Sequence, residues 1–301
     1  MASPQLQNII TMLKTRPATE GATPQEGRAA FENVTQIFKP APDVTRTPVN
    51  ADGVPAEWIT TPNASSEATV YYLHGGGYAI GSINTHAELV SRISRASGAR
   101  ALSVDYRLAP ENPFPAGLDD AVTGYRWLLK QGVDPKTVVI AGDSAGGGLS
   151  LATLLALRDA GDPLPAAAVL LSPWTDLTGG GESRVTRRDA DPMINPDLEA
   201  VGAKSYAGAN ELTNPLISPL LGDFAGLPPM LIQVGDAEVL LSDSTRLAER
   251  AAAAGVDAEI EVFDEMIHVF QFFGAMLPEA QPAVDKIGAF VKSHVAAKAA
   301  A

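Results

Sequence analysis

The sequence predicts an α/β fold, with a mostly parallel central sheet and helices on both faces. Two observations carry that expectation. From about Val70 onward, short β-branched runs alternate with longer stretches of helical periodicity, the pattern of strands joined by crossover helices. The chain has 301 residues, 46% of them hydrophobic, enough for a large core in one α/β domain with an insertion.

Two segments at the start stand outside the alternation. Residues 4–14 and 24–38 read as amphipathic helices. The second opens on Thr23-Pro24-Gln25-Glu26, a capping residue, proline at the first helical position and glutamate three after the cap. Phe31, Val34, Ile37 and Phe38 make its apolar stripe. Residues 70–73 read as a strand, 88–96 as a helix and 101–104 as the next strand. A helix over 118–131 follows, with Leu118, Val122, Tyr125 and Leu129 at helical spacing. Residues 137–141 are β-branched and strand-like. Residues 147–160 carry Leu149, Leu151, Leu154, Leu155 and Leu157 and read as a buried helix. A strand over 168–171 precedes a second break, 184–214. There Asn195-Pro196-Asp197 reads as a helix start, and Leu198, Val201 and Tyr206 supply part of an apolar face. The alternation resumes with a strand at 230–234, a helix at 243–254, a strand at 259–263 and a helix at 283–296. The Ala-rich end reads as a frayed helix tail.

Two glycine motifs carry chemistry. Gly142-Asp143-Ser144-Ala145-Gly146 lies where the 137–141 strand meets the 147–160 helix. A G-x-S-x-G at such a junction forms a sharp turn with the serine at its tip. The glycines are needed because a side chain there would clash with the flanking strand and helix. The start of the following helix also favours negative charge. His74-Gly75-Gly76-Gly77 follows the strand-like Thr69-Val70-Tyr71-Tyr72-Leu73. Its N–H groups can approach a substrate oxygen that turns negative under attack. A nucleophile with an oxyanion hole implies acyl transfer, most simply ester hydrolysis. The bland alternative, a glycine-rich turn with an incidental serine, does not account for the strand before it and the helix after it.

Beyond HGGGY and GDSAGG, three further runs carry a resemblance: Asp105-Tyr106-Arg107-Leu108-Ala109-Pro110-Glu111, Ser172-Pro173-Trp174-Thr175-Asp176-Leu177 and Leu227-Pro228-Pro229. Over nearly its whole length the chain resembles bacterial members of the hormone-sensitive-lipase family of α/β-hydrolases. The resemblance implies an α/β-hydrolase fold with a helical cap. Residues 1–45 would be N-terminal cap helices and 46–301 the catalytic domain, with a cap insertion at about 184–214. It also implies a carboxylesterase preferring short acyl chains, and a possible homodimer formed through the edge strand of the sheet. At that edge Glu259 and Glu261 alternate with Ile260 and Val262, which permits pairing but equally suits protection of a lone edge. Gly148 departs from the family's usual Asn, with an expected effect on helix packing alone.

Serine is a weak nucleophile until a base takes its proton. In α/β-hydrolases the chain order is nucleophile, acid, histidine. Only His268 and His294 follow Ser144. His294 lies inside the last helix and reads as solvent-facing, so His268, just past the last strand, is the expected base. His74 is expected to brace the oxyanion loop by hydrogen bonding, and His86 reads as a loop or helix-start residue. Three carboxylates, Asp236, Glu238 and Asp243, compete for the acid. The family spacing selects Glu238, flanked by Gly235 and Leu240, although Asp is usual there. Asp236 is the alternative, and Asp243 reads as the cap of a helix starting at Ser244. The predicted site is Ser144, Glu238 and His268, with an oxyanion hole from the N–H groups of Gly75, Gly76 and Ala145. No cofactor is implied. Rival readings are an amidase or peptidase using the same triad, a true lipase with an apolar lid, and a non-catalytic small-molecule receptor that would be expected to lack the histidine.

A net charge of −13 and a pI near 4.7 argue against nucleic acid or an anionic membrane surface as partner, since both need a basic face. A small-molecule ester is the expected partner. With no cysteine, disulfides, thiolate nucleophiles and Cys-based metal sites are excluded. The first thirty residues lack the layout of a signal peptide, and a cytoplasmic location is expected. No apolar run approaches the roughly 18 residues that span a bilayer, so no stable membrane anchoring is expected. The four histidines include no close pair at ligand spacing, so no metal is expected.

Overall fold

The computed structural model describes residues 3–15, 23–274 and 276–295. In chain order the elements are α1 (Pro4–Lys14), α2 (Pro24–Thr35), β1 (Thr45–Ala51), β2 (Val54–Thr60), β3 (Ser65–Leu73), α3 (Ile83–Ser97), β4 (Ala99–Val104), α4 (Ala116–Lys130), β5 (Val138–Asp143) and α5 (Ala145–Asp159). They continue with β6 (Ala167–Leu171), α6 (Ser183–Thr186), α7 (Pro196–Ala207), β7 (Met230–Gly235), α8 (Leu241–Ala253), β8 (Ala258–Phe263) and α9 (Ala280–Val295). The Ala-rich end beyond residue 295 lies outside the described residues.

The strands form one sheet in the order β1-β2-β4-β3-β5-β6-β7-β8. β2 runs antiparallel to β1 and β4, and the pairs from β4 to β8 are parallel. Side chains alternate between two cores, as the two-residue strand period requires. On β5, Val138 and Ile140 join α4, α5 and α8 on one face, while Val139 and Ala141 join α3 and α9 on the other. β4 and β5 lie on opposite sides of β3, so chain direction across the sheet reverses there. Loops leaving the carboxyl ends of strands at such a reversal splay apart and open a crevice. Both glycine motifs leave strands at that point.

Sequence periodicity located every strand from β3 to β8 but not the β1–β2 hairpin. β1 is mostly exposed, carries Pro48 and pairs with β2 alone, so it has no apolar face to announce it. Its two-residue turn, Asp52-Gly53, has φ of 54° and 100°, the positive-φ geometry for which Asp-Gly is suited.

The helix starts follow their capping residues. Thr23 Oγ1 accepts from Glu26 N at 3.2 Å, and Glu26 accepts from Thr23 N at 2.8 Å. Asn195 accepts from Asp197 N at 2.9 Å. The apolar faces need correction. α2 stops at Thr35, and of its expected stripe Phe38 is buried while Val34 and Ile37 are exposed. On α7, Leu198 and Val201 face outward, and the buried face is Ala203, Tyr206 and Ala207. The cause is local: only the C-terminal turn of α7 meets the core, where Tyr206 stacks on Tyr78 and its carbonyl accepts from Phe114 N. Among the described residues, no helix is long and apolar enough to cross a membrane.

Candidate active site

β5 ends at Asp143 and α5 begins at Ala145, so Ser144 alone makes the turn, with φ 52° and ψ −122°. That backbone conformation costs a residue with a side chain about 1–3 kcal/mol and persists only where its surroundings enforce it. Here Ser144 N donates to Leu171 O at 2.8 Å, and Ser144 O accepts from Trp174 N at 2.9 Å and Gly148 N at 3.1 Å. The glycines let the turn close: a Cβ on Gly146 would lie 2.0 Å from Leu73 O. Gly148 is equally constrained, because a Cβ there would lie 2.0 Å from the Trp174 carbonyl.

Glu238 sits in the turn after β7 and is fully buried. Its Oε2 lies 2.7 Å from His268 Nδ1, and its Oε1 accepts from Ser172 Oγ and Gly235 N, each at 2.7 Å. An ionised carboxylate only accepts, so the Nδ1 proton is fixed and Nε2 keeps its lone pair. Ser172 Oγ also accepts from Val269 N at 3.1 Å. The adjacent residues Leu171 and Ser172, at the end of β6, thus hold Ser144 with one carbonyl and both Glu238 and the His268 segment with one hydroxyl. Sequence reasoning quoted Ser172 only as part of a resemblance and missed this role. Burial opposes protonation of His268, but the charge and hydrogen bond of Glu238, with Asp191 and Asp143, outweigh it and raise its pKa above the usual 6.5.

The other two carboxylates have different work. Asp236 Oδ1 accepts from Glu265 N at 2.7 Å, which shapes the turn leading to His268. Asp243 does not cap a helix. It lies inside the first turn of α8, fully buried, accepting from Thr175 N and Asp176 N at 2.8 Å and pairing with Arg184 at 2.7 Å. The helix starts earlier than expected, at Leu241, after Leu240, whose side chain makes no capping hydrogen bond.

The loop after β3 is braced from behind. His74 is buried, with Nδ1 2.8 Å from Gly75 O, and Tyr106 OH donates to His74 O at 2.7 Å. Burial and the neighbouring His86 push the His74 pKa down to about 3, so it is neutral at working pH. Gly75 departs from its expected role. Its N–H donates to Asp143 Oδ1 at 3.1 Å, which directs that donor at the carboxylate. Asp143 also accepts from Tyr72 OH at 2.7 Å and faces His86 Nε2 at 3.3 Å. Burial raises its carboxyl, but His86 and these hydrogen bonds outweigh that and hold it below the usual range. Gly76 and Gly77 have φ of 119° and 60°, and a Cβ on Gly77 would meet nothing within 4 Å. His86 is therefore more than a helix-start residue: it links α3 to the nucleophile turn.

The family model for the alpha/beta hydrolase fold matches residues 70–272, which span both motifs and His268. An acetyl-hydrolase of Streptomyces hygroscopicus is 42% identical over 298 residues, covering 97% of this chain and 98% of that one. An esterase of Acinetobacter venetianus is 35% identical over 288 residues, covering 95% of each. A crystal structure of an esterase from the bacterial hormone-sensitive lipase family matches with a TM-score of 0.95 and 46% identity, covering 98% of this chain and 99% of that one. The chain belongs to the α/β-hydrolase fold family, among its bacterial hormone-sensitive-lipase-like esterases.

Proposed function

We propose that this serine hydrolase cleaves short-chain carboxylic esters through an acyl-enzyme, with Ser144 as nucleophile, His268 as base and Glu238 as its orienting acid. The observation that carries this reading is the 2.7 Å Glu238–His268 contact, tied by the end of β6 to the turn that bears Ser144. Ser144 Oγ attacks the ester carbonyl while His268 Nε2 takes its proton. The oxyanion is held by N–H groups of Gly76, Gly77 and Ala145. Gly77 replaces the expected Gly75, whose N–H is engaged by Asp143. His268 then protonates the departing alcohol, water attacks the acyl-enzyme with His268 as base, and the acid leaves.

Residues 1–45 and 184–214 act as a cap in this reading. Leu6, Ile9 and Leu13 of α1 pack with Phe38 on Met266, Ile267, Phe270 and Phe273, beside His268. From the insertion, Tyr206 stacks on Tyr78, just after the oxyanion loop, with ring centroids 3.7 Å apart. The similarity to an acetyl-hydrolase supports a preference for small acyl groups. A homodimer paired through β8 is compatible with its place at the sheet edge, where Val262 is exposed. A chain without cysteine suits the cytoplasm.

The test is a series of p-nitrophenyl esters from acetyl to dodecanoyl, with matched anilides. The reading requires kcat/KM to fall as the acyl chain lengthens and ester to exceed anilide. A preference for long chains, or for the anilides, contradicts it.

A further inference from the structure

The insertion carries one buried carboxylate that the reaction as described does not use. Asp191 is 8% exposed. Its Oδ1 accepts from Met193 N at 2.8 Å and Ile194 N at 3.0 Å, within its own loop. Its Oδ2 reaches across to the catalytic domain and accepts from Val239 N at 2.9 Å. Val239 is the residue next to Glu238. The nearby arginines are engaged elsewhere: Arg184 with Asp243 and Glu199, Arg188 with Asp197, and Arg187 with the Asp236 carbonyl.

A carboxylate held out of water by three backbone N–H groups, with no arginine paired to it among the described residues, is costly. One cation would offset that cost, the imidazolium that His268 becomes when it takes the serine proton. We propose that Asp191 is a positioning residue for the catalytic pair: it locks the turn bearing Glu238 and supplies a second fixed negative charge to the imidazolium. The inference rests on His268 being the base.

The charges around His268 are consistent with this. Glu238, Asp191 and Asp143 all favour its protonated form, and Glu199, paired with Arg184, also senses it. Burial raises the Asp191 carboxyl, and His268 is the charged group that draws it back down. Glu238 acts on the ring directly and Asp143 is shared with Tyr72, Gly75 and His86. Of the two among these carboxylates that come from the insertion, Glu199 is paired with Arg184 and Asp191 is held by backbone N–H groups, so the placement of that segment is coupled to the basicity of the site.

The experiment is a pH profile of kcat/KM for Asp191→Asn and Asp191→Glu, with folding checked by circular dichroism. Removing a negative charge disfavours the imidazolium, so the acid limb of Asp191→Asn should move to lower pH, by roughly half a unit. Its kcat should fall about tenfold with KM little changed, since the lost interaction belongs to the transition state. Asp191→Glu keeps the charge and should keep the limb. If Asp191→Asn does not fold, Asp191→Ser is read in the same way. Glu238→Gln separates this inference from the triad. A limb that moves in Glu238→Gln but stays in place in the neutral Asp191 variant overturns the role of Asp191 and leaves the triad standing. A limb that moves in neither overturns both.

Discussion

Replacing Glu238 by Gln changes one atom in a fully buried site whose three partners all donate. Ser172 Oγ and Gly235 N point at Oε1, and His268 Nδ1 faces Oε2. The amide has only one acceptor, so its NH2 group must face one side. Turned toward Gly235 it sets donor against donor, which costs about 1–3 kcal/mol in a buried place. Turned toward His268 it selects the tautomer whose proton is on Nε2, which cannot accept from Ser144. The active tautomer is then reached only by meeting the first cost. Loss of the charge-assisted bond to the imidazolium removes about 1.5–3 kcal/mol more. The sum, roughly 2.5–6 kcal/mol, corresponds to a fall of about 10²–10⁴ in turnover, and the analogous change in a serine protease costs roughly 10⁴. The assay is kcat/KM on p-nitrophenyl acetate with circular dichroism on the same sample. Asp236→Asn is the control. Its carbonyl oxygen can still accept from Glu265 N, so it should lose less than about tenfold. A folded Glu238→Gln with near wild-type turnover, or an Asp236→Asn that falls by orders of magnitude, would refute the reasoning.

The acid limb of the wild-type profile should show one ionisation above the ordinary histidine value of 6.5, because Glu238 raises His268. The base works when neutral, so activity is lost as pH falls through that ionisation, and a midpoint below 6.5 contradicts the account. Removing the residues before Phe38 uncovers the surface under Leu6, Ile9 and Leu13. Each such side chain contributes about 1.5–3 kcal/mol of burial. The truncated enzyme should lose activity and chain-length preference before its sheet unfolds; unchanged rates and unchanged preference would remove the cap from the account.

Much of this was legible in the sequence because local chemistry and global fold agree. The helix starts at Pro24 and Pro196 follow from Thr23 and Asn195 alone. Ser144 was legible because its turn needs glycines, a strand and a helix in one order. The contact of Glu238 with His268 was legible through spacing, even with Glu in place of Asp. What stayed hidden depends on partners distant in the chain. Gly75 reads as an oxyanion donor until Asp143, far along the sequence, is seen to accept its N–H. Leu198 and Val201 read as a buried face, yet α7 touches the core only at its end. Ser172 bonds to Glu238 and to Val269 N, and Asp191 to Val239 N, across long stretches of chain, and no periodicity marks such residues.

The central claim is that Ser144 attacks the substrate. Its most direct test is treatment of the wild-type enzyme with a fluorophosphonate, followed by peptide mass spectrometry, alongside turnover of Ser144→Ala. The account predicts one stoichiometric adduct on the peptide bearing Gly142-Asp143-Ser144-Ala145-Gly146 and no measurable ester hydrolysis by the folded alanine variant. An adduct on another residue, or undiminished turnover without the Ser144 hydroxyl, would contradict it.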